Sequence, residues 1–274
     1  MTDRAPTHPA LAFAARLRAG ERAIGGWFTP PEAQFAEMVA RGALDAVVLD
    51  VQHGLQDAAS IVEGIAAVTR AGKPALVRIA VGDFALAARA LDVGAIGVIA
   101  PMIDTAADAR AFVAQVKYPP LGRRSWGAGR AMALLGVPSA AAQLSGANAA
   151  TLALAMIETR EAVEAIDEIL AVDGLDGVFV GPNDLSIGLT DGARVDVRDP
   201  LVDAALDRIV AAARRSAKIA GIFGGAPAHA RAFRDKGFGF VTLGYDVHYV
   251  VAGIAAMRAE MGEPAAESGT AQGY

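Results

Sequence analysis

Two carboxylates, one histidine and one arginine of this chain stand just past short apolar runs, where a fold could gather them. Glu158 follows Leu152–Ile157 and Asp184 follows Gly177–Val180, so both carboxylates are expected on one rim, at neighbouring strands. Hard oxygen donors with no thiolate nearby suit Mg2+ or Mn2+. Two such ligands leave positions open for water and a chelating 2-oxo acid. The same two residues would also serve as acidic groups at helix starts, which the helix dipole favours without any metal.

His53 lies three residues after Asp50. A neutral imidazole near pH 7 can take a proton, and a nearby carboxylate would orient it and raise its basicity. The plain alternative is a solvated loop histidine. Arg78 ends the run Ala75-Leu76-Val77, where an unpaired buried guanidinium would be costly. It would hold the oxygen of an enolate or carbonyl, or else pair with an internal carboxylate such as Asp50. The segment from Gly177 to Leu185 places Gly181, Asn183 and their backbone N–H groups at the start of a short helix, which suits a carboxylate. Glycine there could equally just make the turn. Asp92 and Asp104 read most simply as helix-end and cap groups.

These positions acquire meaning from the elements around them. Eight short apolar runs occur at Ile24–Trp27, Ala46–Leu49, Ala75–Arg78, Gly97–Ala100, Leu152–Ile157, Gly177–Val180, Ile219–Ile222 and Phe240–Leu243. Between them lie amphipathic stretches at Pro31–Arg41, Ala58–Arg70, Asp83–Leu91, Ala106–Lys117, Glu161–Leu170, Leu201–Ala217 and Ala228–Lys236, with apolar positions three and four apart. Asp57, Asp83, Thr105 and Thr159 suit helix caps, and Pro31 suits a first turn. Eight strand-helix units point to the α/β class and a (β/α)8 TIM barrel, whose chemistry sits past the C-terminal ends of its strands. The rhythm breaks at Tyr118–Ala150, a Pro/Gly-rich loop carrying Arg123, Arg124, Trp126 and Arg130, long enough to suggest a function. Asp246–Met261 reads as the last helix.

Composition bounds the rest. Of 274 residues, 54% are hydrophobic and 20% charged, which is too apolar for a disordered chain. The length fits one barrel domain over residues 1–262, followed by a small, polar, frayed tail over 263–274. A formal charge of −5 without a Lys/Arg cluster argues against a nucleic-acid partner. The absence of cysteine removes disulfides and thiolate chemistry and fits a reducing, cytoplasmic setting. Charged residues interrupt the first apolar stretch, so no secretory leader is expected. The uncharged stretch Ala131–Ile157 is broken by Gly136 and Pro138 and reads as a loop, a small helix and a buried strand, so no membrane partner is expected.

Six stretches together carry a family resemblance. They are Asp50-Val51-Gln52-His53-Gly54, Leu91-Asp92-Val93-Gly94-Ala95, Pro101-Met102-Ile103-Asp104-Thr105, Tyr118-Pro119-Pro120-Leu121-Gly122, Met156-Ile157-Glu158-Thr159, and Gly177 through Ser186. In this order, from about Gly25 to Ala256, the chain resembles the HpcH/HpaI aldolases, class II pyruvate aldolases typified by 4-hydroxy-2-oxoheptanedioate aldolase. The resemblance implies a barrel of the phosphoenolpyruvate/pyruvate type. It implies a divalent ion (Mg2+ or Mn2+, with Co2+ also accommodated) on Glu158 and Asp184, and His53 acting through metal-bound water. Arg78 would steady the pyruvate oxygen, and Gly181 and Asn183 would hold its carboxylate. Asp50 and Asp92 match acidic positions that support the histidine, within one chain or across a subunit contact. The implied partners are pyruvate and an aldehyde. The implied assembly is a homo-hexamer, a dimer of trimers with the last helix exchanged, and the apolar Val250–Met257 stretch is compatible with it.

Two departures bear on the aldehyde half. Gln52, expected at the substrate, stands where the best-known members carry Glu, and Arg123-Arg124-Ser125-Trp126 is more cationic and bulkier than the family pattern. No lysine ends a strand, since Lys73 and Lys218 precede theirs, so no Schiff base is implied. Oxaloacetate-type decarboxylation on the same site is the alternative enzyme, and a non-catalytic 2-oxo acid binding barrel is the alternative of another class.

Overall fold

The computed structural model describes residues 8–263, so the expected tail lies, but for its first residue, outside the described residues. Its strands are β1 Ala23–Phe28, β2 Ala46–Asp50, β3 Ala75–Arg78, β4 Gly97–Ala100, β5 Leu152–Ile157, β6 Gly177–Val180, β7 Ile219–Ile222 and β8 Phe240–Thr242. All pair in parallel in chain order, and β8 returns to β1 to close the barrel. Every strand lies within one residue of its expected place.

Helix α1 (Phe13–Arg18) precedes the barrel. The others are α2 Ala33–Ala40, α3 Ser60–Arg70, α4 Phe84–Asp92, α5 Ala106–Val116, α6 Gly129–Leu135, α7 Ala140–Ala150, α8 Arg160–Glu164, α9 Ile166–Leu170, α10 Pro182–Leu189, α11 Pro200–Arg215, α12 Pro227–Lys236 and α13 Asp246–Glu260. Asp83, Thr105 and Thr159 cap α4, α5 and α8 as their residue types suggest, and Asp57 accepts the N–H groups of Ala59 and Ser60 ahead of α3.

Three expectations need correction. Pro31 lies outside α2, because Glu32 is the residue whose carbonyl takes the first helical N–H groups. The Glu161–Leu170 helix divides at Ala165, whose ψ of 9° leaves the helical range. The segment expected as a long functional loop is largely two helices: Gly136 ends α6 with a φ of 66°, and the Ser139 side chain caps α7.

Period-two alternation divides each strand into an outer row against the helices and an inner row filling the barrel. Val47 and Leu49 of β2, Val77 of β3 and Ala155 of β5 belong to the outer core. Val48, Leu76, Leu154, Met156, Phe179 and Phe240 belong to the inner one. The N-terminal segment plugs the barrel from below, where Phe13 meets Phe240 edge-on at 5.8 Å between ring centres. The first turn of α13 is tied to the top: the Asp246 carboxylate accepts the Thr29 N–H (2.7 Å) and hydroxyl (2.8 Å). Beyond that turn α13 leaves Val250, Val251, Ile254 and Met257 exposed.

Candidate active site

The inner row dictates which side chains meet at the barrel mouth. Continuing the alternation upward, Trp27 in β1, Asp50 in β2, Arg78 in β3 and Glu158 just past β5 all share inward parity. Asp50 and Arg78 are register partners on adjacent strands. Their side chains form a two-point fork, with Nε donating to Oδ1 at 2.7 Å and Nη2 to Oδ2 at 2.6 Å. Trp27 holds this fork from a third side. Its Nε1 donates to Asp50 Oδ2 at 3.2 Å, and the Arg78 guanidinium lies 4.8 Å from its ring centre. All three residues are buried, so the two charges are desolvated together and compensated by hydrogen bonds.

Glu158 is also buried, and the backbone N–H of Met102 donates to its Oε2 at 3.0 Å. Met102 adopts a φ of 53°, an uncommon conformation for a non-glycine residue that costs on the order of 1–3 kcal/mol and clusters at functional sites. Burial, reinforced by the nearby charge of Asp184, pushes the Glu158 carboxyl from 4.5 up to about 7, against the opposing pull of the Met102 N–H and Arg78. Gly181 faces this carboxylate, and a Cβ there would collide with it. Glycine at this turn therefore gives the acid its room.

A cavity of about 820 Å³ opens at the mouth. His53, Arg78, Gly181, Asn183 and Asp184 all line it, which brings together five of the residues singled out in the sequence. Glu158 lies beneath them, within reach of the charges of Asp184, Arg78 and Asp104. Gly181 is the cap residue before α10, whose N-terminal dipole end faces this space.

Asp50 takes the pairing with Arg78 that was one of its two expected roles, while Gln52 and Asp92 lie away from the cavity. Asp50 forks Arg78 and receives the backbone N–H groups of Gln52 (3.1 Å) and His53 (3.5 Å). Gln52 lies outside the cavity lining, with its Oε1 buried and without a hydrogen-bond partner. Asp92 ends α4 at the opposite end of the barrel, since a helix following a strand runs back down. There it pairs with Arg124 at 2.6 Å. No residue of 118–150 lines the mouth. The cavity is walled instead by 195–198, Phe223, His229, Phe233, Tyr245 and His248. Two of these are histidines that follow strands seven and eight, a positional signal that could have found them.

A buried lysine with a lowered pKa also exists, at the wrong end for chemistry at the mouth. Burial lowers the pKa of Lys117, whose ammonium contacts the Thr151 carbonyl (2.8 Å) and the Asp176 carboxylate (2.7 Å) below β5 and β6. Such a shift often marks a nucleophile, but structural ion pairs produce it too.

Two carboxylates form the candidate cation site. Among the described residues, no three His, Asp or Glu side chains are grouped to hold a metal ion. Glu158 and Asp184 suit a hard divalent cation that keeps most of its positions for substrate and water. Burial first, and then the charge of Asp184, raise the Glu158 pKa.

Comparison with known proteins identifies the family of this barrel. A model of the HpcH/HpaI aldolase/citrate lyase family matches residues 24–252. The chain is 39% identical to a hydroxypyruvate/pyruvate aldolase of Rhizorhabdus wittichii, over 83% of its length and 89% of the relative's. It is 33% identical to a 4-hydroxy-2-oxo-heptane-1,7-dioate aldolase of Salmonella arizonae, over 96% of its length and 99% of the relative's. The crystal structure of a family protein from Burkholderia cenocepacia superimposes with a TM-score of 0.82 at 30% identity, covering 92% of this chain and 99% of that one. Family match, sequence identity and barrel topology converge, and the chain belongs to the HpcH/HpaI aldolase/citrate lyase family.

Proposed function

We propose that this protein is a class II aldolase, a carbon-carbon lyase that reversibly cleaves a 4-hydroxy-2-oxo acid to pyruvate and an aldehyde. The observation that carries this reading is one cavity lined by Arg78, His53, Asp184 and the start of α10, set above a buried Glu158 whose carboxyl is held near neutrality. Glu158 and Asp184 would hold a divalent cation, Mg2+ or Mn2+. When bound, the ion supplies Lewis acidity that makes the methyl protons of pyruvate easier to remove.

The chain's own residues divide the remaining work. Arg78, kept in orientation by Asp50 and Trp27, steadies the keto oxygen as negative charge develops on it. Backbone N–H groups at Gly181 and Asn183 take the pyruvate carboxylate at the helix N-terminus. His53 moves protons at the methyl carbon and at the product hydroxyl. In addition, the methyl carbon loses one proton and bonds to the aldehyde carbon, while the aldehyde oxygen gains one proton; cleavage is the reverse.

The exposed apolar stripe of α13 supports a homo-oligomer, a hexamer built as a dimer of trimers with this helix exchanged. In such an assembly Asp92, distant from the His53 of its own chain, would serve a neighbour's mouth. A cytoplasmic setting completes the reading, and the cysteine-free composition is compatible with it. The test is release of pyruvate from a 4-hydroxy-2-oxo acid, expected to stop on chelation and to return with Mg2+ or Mn2+. Faster decarboxylation of oxaloacetate than aldol cleavage would contradict the reading.

A further inference from the structure

A three-carbon oxo acid held between Arg78 and the start of α10 fills a small part of a cavity of about 820 Å³. Whatever is joined to pyruvate must occupy the remainder, so the chemistry of the outer wall describes the electrophile. That wall is built by the connection between α10 and α11 on one side and the segment after β7 on the other. Ile187 and Val195 line it while remaining largely exposed, which is costly for apolar groups unless something apolar covers them. Phe223 faces them, half-buried and packed edge-on against Trp27 at 5.1 Å. At the rim His229 stacks obliquely near Phe233 (6.4 Å) and His248 near Tyr245 (4.1 Å), so the rings continue outward. Between these groups Gly224-Gly225-Ala226 contributes almost no side chain. A Cβ at Gly224 would run into the Thr242 carbonyl, so close packing against β8 requires glycine there.

The charges of the lining sharpen the choice. Arg78 is already forked by Asp50, and Arg198 at the lip faces Asp196 at 3.8 Å while donating its backbone N–H to the same carboxylate. No lysine lines the cavity. A carboxylate on the far end of the electrophile would thus meet no cation that lacks an acidic partner. The imidazoles of His229 and His248 and the N-terminal end of α12 would be its remaining polar partners, whereas an apolar body would cover Ile187, Val195 and Phe223.

Resting on the aldolase reading, we infer that the outer cavity is the electrophile subsite, with Ile187, Val195 and Phe223 as specificity-determining residues that select an uncharged aldehyde with an apolar, aryl-sized body over one ending in a carboxylate.

The test compares addition of pyruvate to benzaldehyde, 4-carboxybenzaldehyde and acetaldehyde by the full-length, cation-loaded protein. The expected kcat/KM favours benzaldehyde over its carboxylated counterpart by about tenfold or more. Val195→Ser and Ile187→Ser lie at exposed positions and should fold. Each is expected to lower kcat/KM for benzaldehyde by about three- to tenfold, and that for acetaldehyde by less. Turnover of 4-carboxybenzaldehyde equal to or above that of benzaldehyde, particularly if Arg198→Ala then abolished it, would overturn the inference. So would an unchanged benzaldehyde preference in both serine variants. Pyruvate proton exchange separates the two claims: its absence defeats the aldolase reading itself, and its presence with the opposite aldehyde ranking defeats only the subsite.

Discussion

Arg78 and Asp50 meet through two parallel hydrogen bonds, 2.7 and 2.6 Å long, at the inner mouth of the barrel, where both side chains are almost completely buried. Removing one partner strands the other. Asp50→Ala is therefore expected to destabilise the protein by about 3–5 kcal/mol. Arg78→Lys keeps the charge but cannot span the fork, so proton exchange on pyruvate should fall by about 100-fold or more. Denaturant unfolding and exchange rates check the pair, and an Asp50→Ala variant of unchanged stability would contradict the account.

Trp27 is expected to act on substrate only through that fork. Trp27→Phe retains a ring near the guanidinium but removes the N–H to Asp50, a loss of about 1 kcal/mol of stability. Looser orientation of Arg78 should lower kcat for pyruvate proton exchange while KM changes less. Steady-state kinetics would refute this if KM rose with kcat intact.

Glu158 makes both stability and cation binding depend on pH. Its folded-state pKa of about 7 lies above the ordinary 4.5, so the folded chain holds this proton more tightly than the unfolded one. Without a cation, stability should decline as pH rises from about 4.5 to about 7. The shift corresponds to about 3 kcal/mol at full ionisation. Glu158→Gln keeps an acceptor for the Met102 N–H and should remove that decline, visible as a higher melting temperature than wild type at pH 8.

Because cation and proton compete for the same carboxylate, the affinity for Mn2+ should fall by up to about tenfold per pH unit below about 7. Calorimetric titration at pH 5.5, 6.5 and 7.5 measures this directly, and a pH-independent affinity would be the adverse result.

Gly181→Ala tests the packing between β6 and Glu158. The added methyl meets the carboxylate head on, and overpacking of this kind costs about 1–3 kcal/mol. The expected phenotype is weakened cation binding with native far-ultraviolet circular dichroism. Wild-type affinity would mean that the carboxylate moves freely.

The strands were legible because apolar runs of four to six residues separated by amphipathic helices leave few other solutions. Their parity alone places Trp27, Asp50, Arg78 and Glu158 on the inside. What sequence could not supply was which loops reach the mouth. Residues 118–150 are rich in Pro, Gly and Arg, yet Ser139 and Gly136 turn them into two helices away from the cavity. Val195 and Phe223 carry no motif and line it. Asp92 sits in a family-like stretch, but the return direction of α4 carries it to the opposite end, against Arg124. Partner choice by charged groups was partly legible: burial at the end of β3 already called for a carboxylate such as Asp50 beside Arg78, and the strand register makes the two neighbours.

The central claim is that Glu158, Asp184, Arg78 and His53 make pyruvate's methyl group acidic, and proton NMR of pyruvate in D2O with the full-length protein tests it most directly. Loss of the methyl signal is expected with Mn2+ or Mg2+, and neither after chelation nor in Glu158→Ala. Exchange absent with every divalent cation tried, or undiminished in Glu158→Ala, would contradict it.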